Sequence, residues 1–118
     1  MKRILVADDE EQILSVMMDV LEGAGYEVVG AHDGVEALKL LENQSFDVAL
    51  LDVMMPKLSG YHLTTKVLGL ANPPKVIIVT ARNYEKDEKT LRSVGAHAFL
   101  PKPFSNKDLL DVVSRLTK

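Results

Sequence analysis

Five short apolar runs alternate along the chain with segments of helical periodicity. The runs are Arg3–Ala7, Glu27–Ala31, Asp47–Leu51, Val76–Thr80 and His97–Pro101. Continuous apolar runs of this length are typical of strands that are buried on both faces. Because strand and helix alternate five times, the pattern predicts an α/β fold: one doubly wound, five-stranded parallel sheet with five helices.

The first and third helices are predicted from their apolar face and from the residues that stop them. The apolar face of the first helix comprises Ile13, Leu14, Met17, Met18 and Leu21. It ends at Gly23 and Gly25, since glycine commonly terminates helices. The third helix begins near Ser59–Gly60 and must end before Pro73–Pro74, because proline cannot continue a helix.

Capping pairs mark the start of the second and last helices. Asp33 with Glu36, and Ser105 with Asp108, have the spacing at which two side chains bond the first free backbone N–H groups. The residues predicted to be buried are Val35, Leu38 and Leu41 in the second helix, and Leu109, Leu110, Val112, Val113 and Leu116 in the last. The helix predicted over 82–93 has only two sizeable apolar residues and should be the most weakly anchored.

Composition narrows the class of protein. The 118 residues suffice for one compact domain, predicted to span 1–118. A net charge of −3 gives no support for direct nucleic-acid binding by this chain. The absence of cysteine excludes disulfides and thiol chemistry. The apolar runs are too short to span a membrane, and the start is not typical of a signal peptide. A cytoplasmic protein is therefore expected.

Charged and polar side chains stand where the predicted strands end. They are Asp8, Asp9 and Glu10 after the first run, Asp52 after the third, Thr80 at the end of the fourth and Lys102 after the fifth. Taken singly, Asp9 could cap a helix, Thr80 could close a turn and Lys102 could be a solvated lysine. A parallel sheet, however, brings the carboxyl ends of its strands to one edge, where ligands bind.

Three aspartates at that edge require compensation. Two like charges at ~4 Å repel by about 4 kcal/mol at an effective dielectric constant near 20. Lys102 offsets one negative charge, and the two that remain match Mg²⁺, which prefers oxygen ligands. A rigidly held Asp52 could then act as a nucleophile toward phosphorus. Lys102 and the metal would neutralise charge on the phosphoryl group, and Thr80 could donate a hydrogen bond to it.

Four motifs, ILVADDE, LLDVMMPKLSG, VIIVTA and FLPKPF, resemble the receiver domain of bacterial two-component response regulators. The resemblance covers essentially the whole chain. It implies a flavodoxin-like sheet of order 2-1-3-4-5 and a phosphoacceptor, Asp52, that takes phosphate from a histidine kinase. It also implies that Asp9, Asp52 and the main-chain carbonyl of Met54 ligate Mg²⁺, with Asp8 acting chiefly through a water.

The same resemblance implies roles for residues around the phosphoacceptor. Thr80 would be the switch hydroxyl and Lys102 the phosphate-contacting lysine, while Phe99 would be the aromatic that turns inward on activation. The Lys102–Pro103 bond is expected to be cis, a form that proline tolerates. Gly60 would match a glycine after the phosphoacceptor loop.

Met54 and Arg82 occupy positions that vary among receiver domains. Met54 and Arg82 are expected to tune the lifetime of the phosphoryl group. The segment before Lys102 lacks the paired acids seen in many winged-helix regulators, which weakens a prediction of their dimer face. His32, His62 and His97 have no metal-binding spacing and are predicted at the surface.

The predicted partners are a sensor histidine kinase or phosphotransfer protein, and a downstream effector domain or target protein. Beyond intrinsic Mg²⁺-dependent autophosphorylation and autodephosphorylation, no enzyme activity is expected. One alternative is a docking module that takes no phosphate. Another is a small phosphatase, but the haloacid dehalogenase type needs a DxD arrangement where this chain has adjacent acids. A flavodoxin-like binder would need a phosphate loop in place of the acidic DDEEQIL.

Overall fold

The computed structural model describes residues 2–53, 55, 60–80 and 95–117. Its strands are β1 (Arg3–Ala7), β2 (Glu27–Ala31), β3 (Val48–Asp52), β4 (Lys75–Thr80) and β5 (Ala98–Pro101). Its helices are α1 (Glu11–Gly23), α2 (Gly34–Asn43), α3 (Gly60–Leu68) and α4 (Asn106–Thr117). The helix predicted over 82–93 lies outside the described residues.

The five strands form one parallel sheet in the order β2-β1-β3-β4-β5. This confirms the predicted fold class and strand order. The order reverses at β1, with β2 on one side and β3 on the other, and such a switch point creates a crevice at the carboxyl edge. The chain therefore places the ends of β1 and β3 side by side at that crevice.

Alternate residues along the strands pack into two separate hydrophobic cores, one on each face of the sheet. In β1, Leu5 and Ala7 pack on the face covered by α2 and α3, while Ile4 and Val6 pack on the face covered by α1 and α4. All residues of β3 are buried. Burial on both faces explains why β3 is a continuous apolar run until its final aspartate.

Both predicted capping pairs are present. The carboxylate of Asp33 accepts a hydrogen bond from Glu36 N at 2.8 Å. Ser105 Oγ accepts from Asp108 N at 3.0 Å, and Asp108 returns the bond by accepting from Ser105 N at 3.2 Å. These contacts satisfy backbone donors that a helix start leaves unpaired.

Of the residues predicted to be buried in the second and last helices, one is exposed, and Leu38, Leu110 and Leu116 are only partly buried. Val35 was expected to be buried in the second helix but is 39% exposed. The buried stripe of α2 runs through Gly34, Ala37 and Leu41. Because helical residues are about 100° apart, Val35 falls well outside that stripe.

Strand boundaries shift by one residue in three strands, and one shift matters. Asp52 is the last residue of β3, where the apolar run alone suggested an end at Leu51. Its Cα is paired with that of Val79 in β4. Asp52 is therefore held by the sheet itself, and its position does not depend on the loop that follows.

Candidate functional site

Two aspartates are buried at the carboxyl edge of the central strands. Asp8 follows β1 and is 1% exposed, and Asp52 ends β3 and is 4% exposed. The backbone of Asp8 is fixed by a 3.1 Å hydrogen bond from its N–H to Ala31 O in β2. Together with exposed Asp9, these residues each offer a carboxylate oxygen within 4.8 Å of the other two. The three predicted acids therefore do converge.

Lys102 inserts its ammonium group among these acids. Its Nζ lies 3.1 Å from Asp52 Oδ2 and 3.4 Å from Asp8 Oδ2. Glu10 Oε1 is also near, at 4.0 Å. The backbone of Lys102 donates a 2.7 Å hydrogen bond to Thr80 O, which ties the residue to the end of β4. The Lys102–Pro103 peptide bond is cis, as predicted.

The carboxylates keep Lys102 charged. Burial lowers the pKa of its ammonium group, but the charges of Asp52 and Asp8 and their hydrogen bonds outweigh burial and raise the pKa above its ordinary value. A lysine so placed is a permanent cation at neutral pH. It can neutralise negative charge on any group that joins Asp52.

The metal-ligating capacity of the cluster shows most clearly at Asp8. Its Oδ1 accepts a 2.9 Å hydrogen bond from Glu10 N, whereas buried Oδ2 has only the long 3.4 Å ion-pair contact with Lys102 Nζ among the described residues. Because Lys102 is shared between Asp8 and the nearer Asp52, a second cation would complete the coordination of this buried oxygen. Oxygen donors in this number and spacing fit Mg²⁺. The predicted fourth ligand, the carbonyl of Met54, lies outside the described residues.

Thr80 and Phe99 stand on β4 and β5, on the side of β3 away from β1. Thr80 is buried at the end of β4 and follows Val79, the residue paired with Asp52. Phe99 is half-buried and paired in register with Ile78. Its side chain packs against the core that α2 and α3 cover. Thr80 therefore stands on the strand next to that of Asp52, and Phe99 stands one strand further from the acids. Their switch roles stay a prediction.

Two predictions about Asp9 and Gly60 have clear outcomes. The alternative in which Asp9 caps α1 is wrong, because the residue at the N-cap is Glu10 and its side chain makes no capping hydrogen bond. Asp9 therefore retains its carboxylate for the cluster. Gly60 is the first residue of α3. Arg82 lies outside the described residues.

The three histidines are exposed, as predicted. His32 pairs with Glu36 on the surface. His97 accepts a 3.0 Å hydrogen bond from Val76 N through its Nδ1. Burial, with a smaller contribution from the Lys75 charge, lowers the pKa of the His97 imidazole. This last contact was not visible in the sequence.

Glu10 is the site residue whose role sequence reasoning missed. It was noted at the end of the first strand, but no function followed from its type or position. Only the fold shows that its carboxylate approaches Lys102, 92 positions later in the sequence numbering. Within the described parts of the chain, no helix is long and apolar enough to cross a bilayer.

Similar proteins share this arrangement of sequence and fold. Residues 4–114 match the sequence profile of the response regulator receiver domain. The chain is 43% identical over 110 residues to the transcriptional regulatory protein CpxR of Escherichia coli K12, an alignment that covers 93% of this chain and 47% of CpxR. It is 38% identical over 108 residues to the alkaline phosphatase synthesis regulator PhoP of Bacillus subtilis, covering 92% and 45%. The chain thus spans about half the length of these relatives.

Solved structures of receiver domains and response regulators share the fold of this chain. The receiver domain of the Francisella response regulator 1452 superimposes with a TM-score of 0.93 at 32% identity, covering 99% of this chain and 97% of that one. The chemotaxis response regulator CheY4 of Vibrio cholerae gives a TM-score of 0.93 at 31% identity, with 98% of each chain covered.

The fold and the acid–lysine cluster define a signalling protein built on a doubly wound sheet. The chain belongs to the response regulator receiver domain family. It is a receiver domain of the two-component type, a class that works with histidine kinases and downstream effectors and that binds Mg²⁺ at an acidic pocket.

Proposed function

We propose that Asp52 is the residue of this chain that is phosphorylated, and that Asp8, Asp9 and Asp52 hold Mg²⁺ together with the main-chain carbonyl of Met54. The observation that carries the proposal is the pairing of buried Asp52 with Lys102, at 3.1 Å, inside a cluster of three carboxylates. If Lys102 served only to form a stabilising salt bridge, a single acidic partner would be enough. The additional acids have a reason only if a cation and an incoming phosphoryl group complete the site.

In the proposed transfer, a carboxylate oxygen of Asp52 attacks the phosphorus of a phosphohistidine. The new P–O bond forms as the P–N bond breaks, and the imidazole leaves with the bonding electron pair. Mg²⁺ bound at the site would neutralise charge on the transferring phosphoryl oxygens. Lys102 is positioned to do the same, because its Nζ lies 3.1 Å from Asp52 Oδ2. The fixed strand end keeps Asp52 oriented for attack.

Phosphorylation would then act through Thr80 and Phe99. The phosphoryl group adds strong acceptor oxygens and negative charge beside the end of β4. The Thr80 hydroxyl is proposed to donate to one of these oxygens. Phe99 lies on the adjacent strand and is partly buried, and a change of its rotamer is the proposed response. A differential interaction of a few kcal/mol would suffice to shift the population of the two states.

The wider setting follows from the same proposal. Residues 1–118 would form one receiver domain that takes its phosphoryl group from a sensor histidine kinase or phosphotransfer protein. It would pass the change to a downstream effector domain or target protein. Its intrinsic chemistry would be limited to its own phosphorylation and dephosphorylation, in the cytoplasm. A phosphate-independent docking module would need none of the pairing seen at Asp52.

Incubation with Mg²⁺ and acetyl phosphate tests the proposal. Intact-protein mass spectrometry should show the gain of one phosphoryl group, which should disappear in Asp52→Asn and on removal of Mg²⁺ with EDTA. Asp19→Asn, an exposed aspartate on α1, is the matched control and should label like the parent chain. Unchanged labelling in Asp52→Asn would assign the phosphoacceptor to another residue. No labelling of the parent chain would favour the docking module.

A further inference from the structure

The Glu10 carboxylate lies at the rim of the site but takes no part in capping the adjacent helix. Glu10 occupies the N-cap of α1, where its backbone oxygen accepts a 3.0 Å hydrogen bond from Leu14 N. Its N–H donates to Asp8 Oδ1. With its backbone fixed at both ends, its side chain extends toward Lys102 and remains 63% exposed. The carboxylate is thus held near the site while facing solvent.

Glu10 leaves the site with a surplus of negative charge. Lys102 together with Mg²⁺, if bound, would balance the charges of Asp8, Asp9 and Asp52. Glu10 adds a fourth negative charge, and Lys102 is the one cation near it among the described residues. Since Asp8 and Asp52 are buried and Glu10 is exposed, the surplus charge faces the solvent from which a phosphodonor arrives. A donor anion therefore meets repulsion that the three aspartates alone would not create.

We propose that Glu10 is a specificity-determining residue that disfavours small dianionic phosphodonors relative to donors of lower negative charge. A phosphohistidine with a protonated ring is a donor of the favoured class. This inference rests on the proposed phosphoacceptor role of Asp52. At a separation of ~8 Å in water, one unit charge changes the rate for a monoanion about twofold and for a dianion about fivefold.

Two small phosphodonors that differ in net charge separate the effect of the Glu10 charge from any other effect of the Glu10 side chain. Acetyl phosphate is a dianion at neutral pH, and phosphoramidate carries a single net negative charge. With saturating Mg²⁺ at low ionic strength, Glu10→Gln should label about fivefold faster with acetyl phosphate and about twofold faster with phosphoramidate. High salt should shrink both gains, because it screens exposed charges. A role in folding or in shaping the site would change both rates by the same factor.

Two further variants and a binding measurement complete the test. Glu10→Asp keeps the charge and should keep the parental ratio of the two rates. Glu22→Gln makes the same change near the other end of α1, about 18 Å away along the helix, and should leave the ratio unchanged. Inorganic phosphate, followed by ³¹P NMR line broadening, should bind Glu10→Gln more tightly than the parent chain.

The outcomes distinguish this inference from the proposed function. If the parent chain labels on Asp52 but Glu10→Gln leaves the donor ratio and the phosphate affinity unchanged, the role of Glu10 is overturned and that of Asp52 stands. If the parent chain does not label with either donor, the phosphoacceptor role fails and the inference fails with it.

Discussion

The ammonium nitrogen of Lys102 lies 3.1 Å from Oδ2 of Asp52, although 50 positions separate the two residues. Asp52 ends a strand that is buried along its whole length, and Lys102 follows the edge strand β5. The pair spans β4, whose last residue, Thr80, accepts the hydrogen bond from Lys102 N. Lys102 thereby connects the carboxyl ends of β3, β4 and β5 beside the cluster of acids.

Loss of the Lys102 charge should destabilise the metal-free domain. Lys102→Met leaves two buried carboxylates without their cation, so the free energy of unfolding should fall by about 1–3 kcal/mol. The loss is smaller than for a fully buried ion pair because the Lys102 side chain is 22% exposed. Urea unfolding in EDTA measures the change. Mg²⁺ should restore part of the loss, since it supplies the missing positive charge.

Lys107→Met is the matched control for this prediction. Lys107 forms a 3.2 Å ion pair with Asp111 on the surface of α4 and is 84% exposed. Surface pairs of this kind contribute at most about 1 kcal/mol, so the unfolding free energy should change little and show no new dependence on Mg²⁺. Equal losses in the two variants would contradict a special role for the Lys102 pair.

Neutralising Asp8 should have the opposite effect in the absence of metal. Asp8→Asn keeps an oxygen that can accept from Glu10 N and removes the negative charge at Oδ2, while Lys102 keeps its nearer partner Asp52. The unfolding free energy in EDTA should rise by about 1 kcal/mol because repulsion among the acids is relieved. Mg²⁺ should raise the melting temperature of the parent chain, and this increase should be absent in Asp8→Asn. A variant that still gains stability from Mg²⁺ would show that Asp8 is dispensable for binding the metal.

His97 should make the stability of the domain depend on pH. The pKa of its imidazole is lowered in the folded chain, so the unfolded chain binds the proton more readily. The stabilisation is complete above the unfolded pKa of about 6.5 and is lost as the pH falls through the folded pKa. Protonation would also replace the Nδ1 acceptor of Val76 N by a donor.

Two substitutions at His97 isolate this effect. His97→Asn retains an acceptor and does not titrate, so its unfolding free energy should fall less than that of the parent chain between about pH 7.5 and about pH 5.5, roughly one unit either side of the unfolded pKa. His97→Ala should show the same reduced slope but lose about 1 kcal/mol at neutral pH, because Val76 N loses its partner. Identical slopes in all three proteins would rule out His97 as the titrating group.

Gly95 should resist substitution. It precedes β5 with φ +91°, a conformation that other residues rarely adopt, and a Cβ there would lie 2.9 Å from Leu68 Cδ1. Gly95→Ala should therefore lower the unfolding free energy by about 1–2 kcal/mol. Gly23→Ala is the control, since a Cβ at Gly23 meets nothing within 4 Å and alanine favours helix. Thermal unfolding of both variants against the parent chain decides the comparison.

Much of the fold was predictable from local sequence patterns, and where a prediction was wrong the cause is also local. The apolar runs located all five strands to within one residue, because burial on both faces leaves an uninterrupted signal. The capping pairs located the starts of α2 and α4 through chemistry confined to four residues. Val35 was misplaced because an apolar residue in the first turn of a helix does not reveal which way the helix is rotated against the sheet.

The sequence by itself determined which groups stand at the strand ends: an acid pair, a buried aspartate, a threonine and a lysine before proline. Parallel pairing then brings these ends to one edge, so convergence of Asp8, Asp9 and Asp52 was predictable. Only the tertiary structure decided the distances: Lys102 lies nearer to Asp52 than to Asp8, and Glu10 faces the same lysine. The reason is physical, since strand order assigns neighbours while side-chain contacts depend on twist, rotamer and packing across elements far apart in the chain.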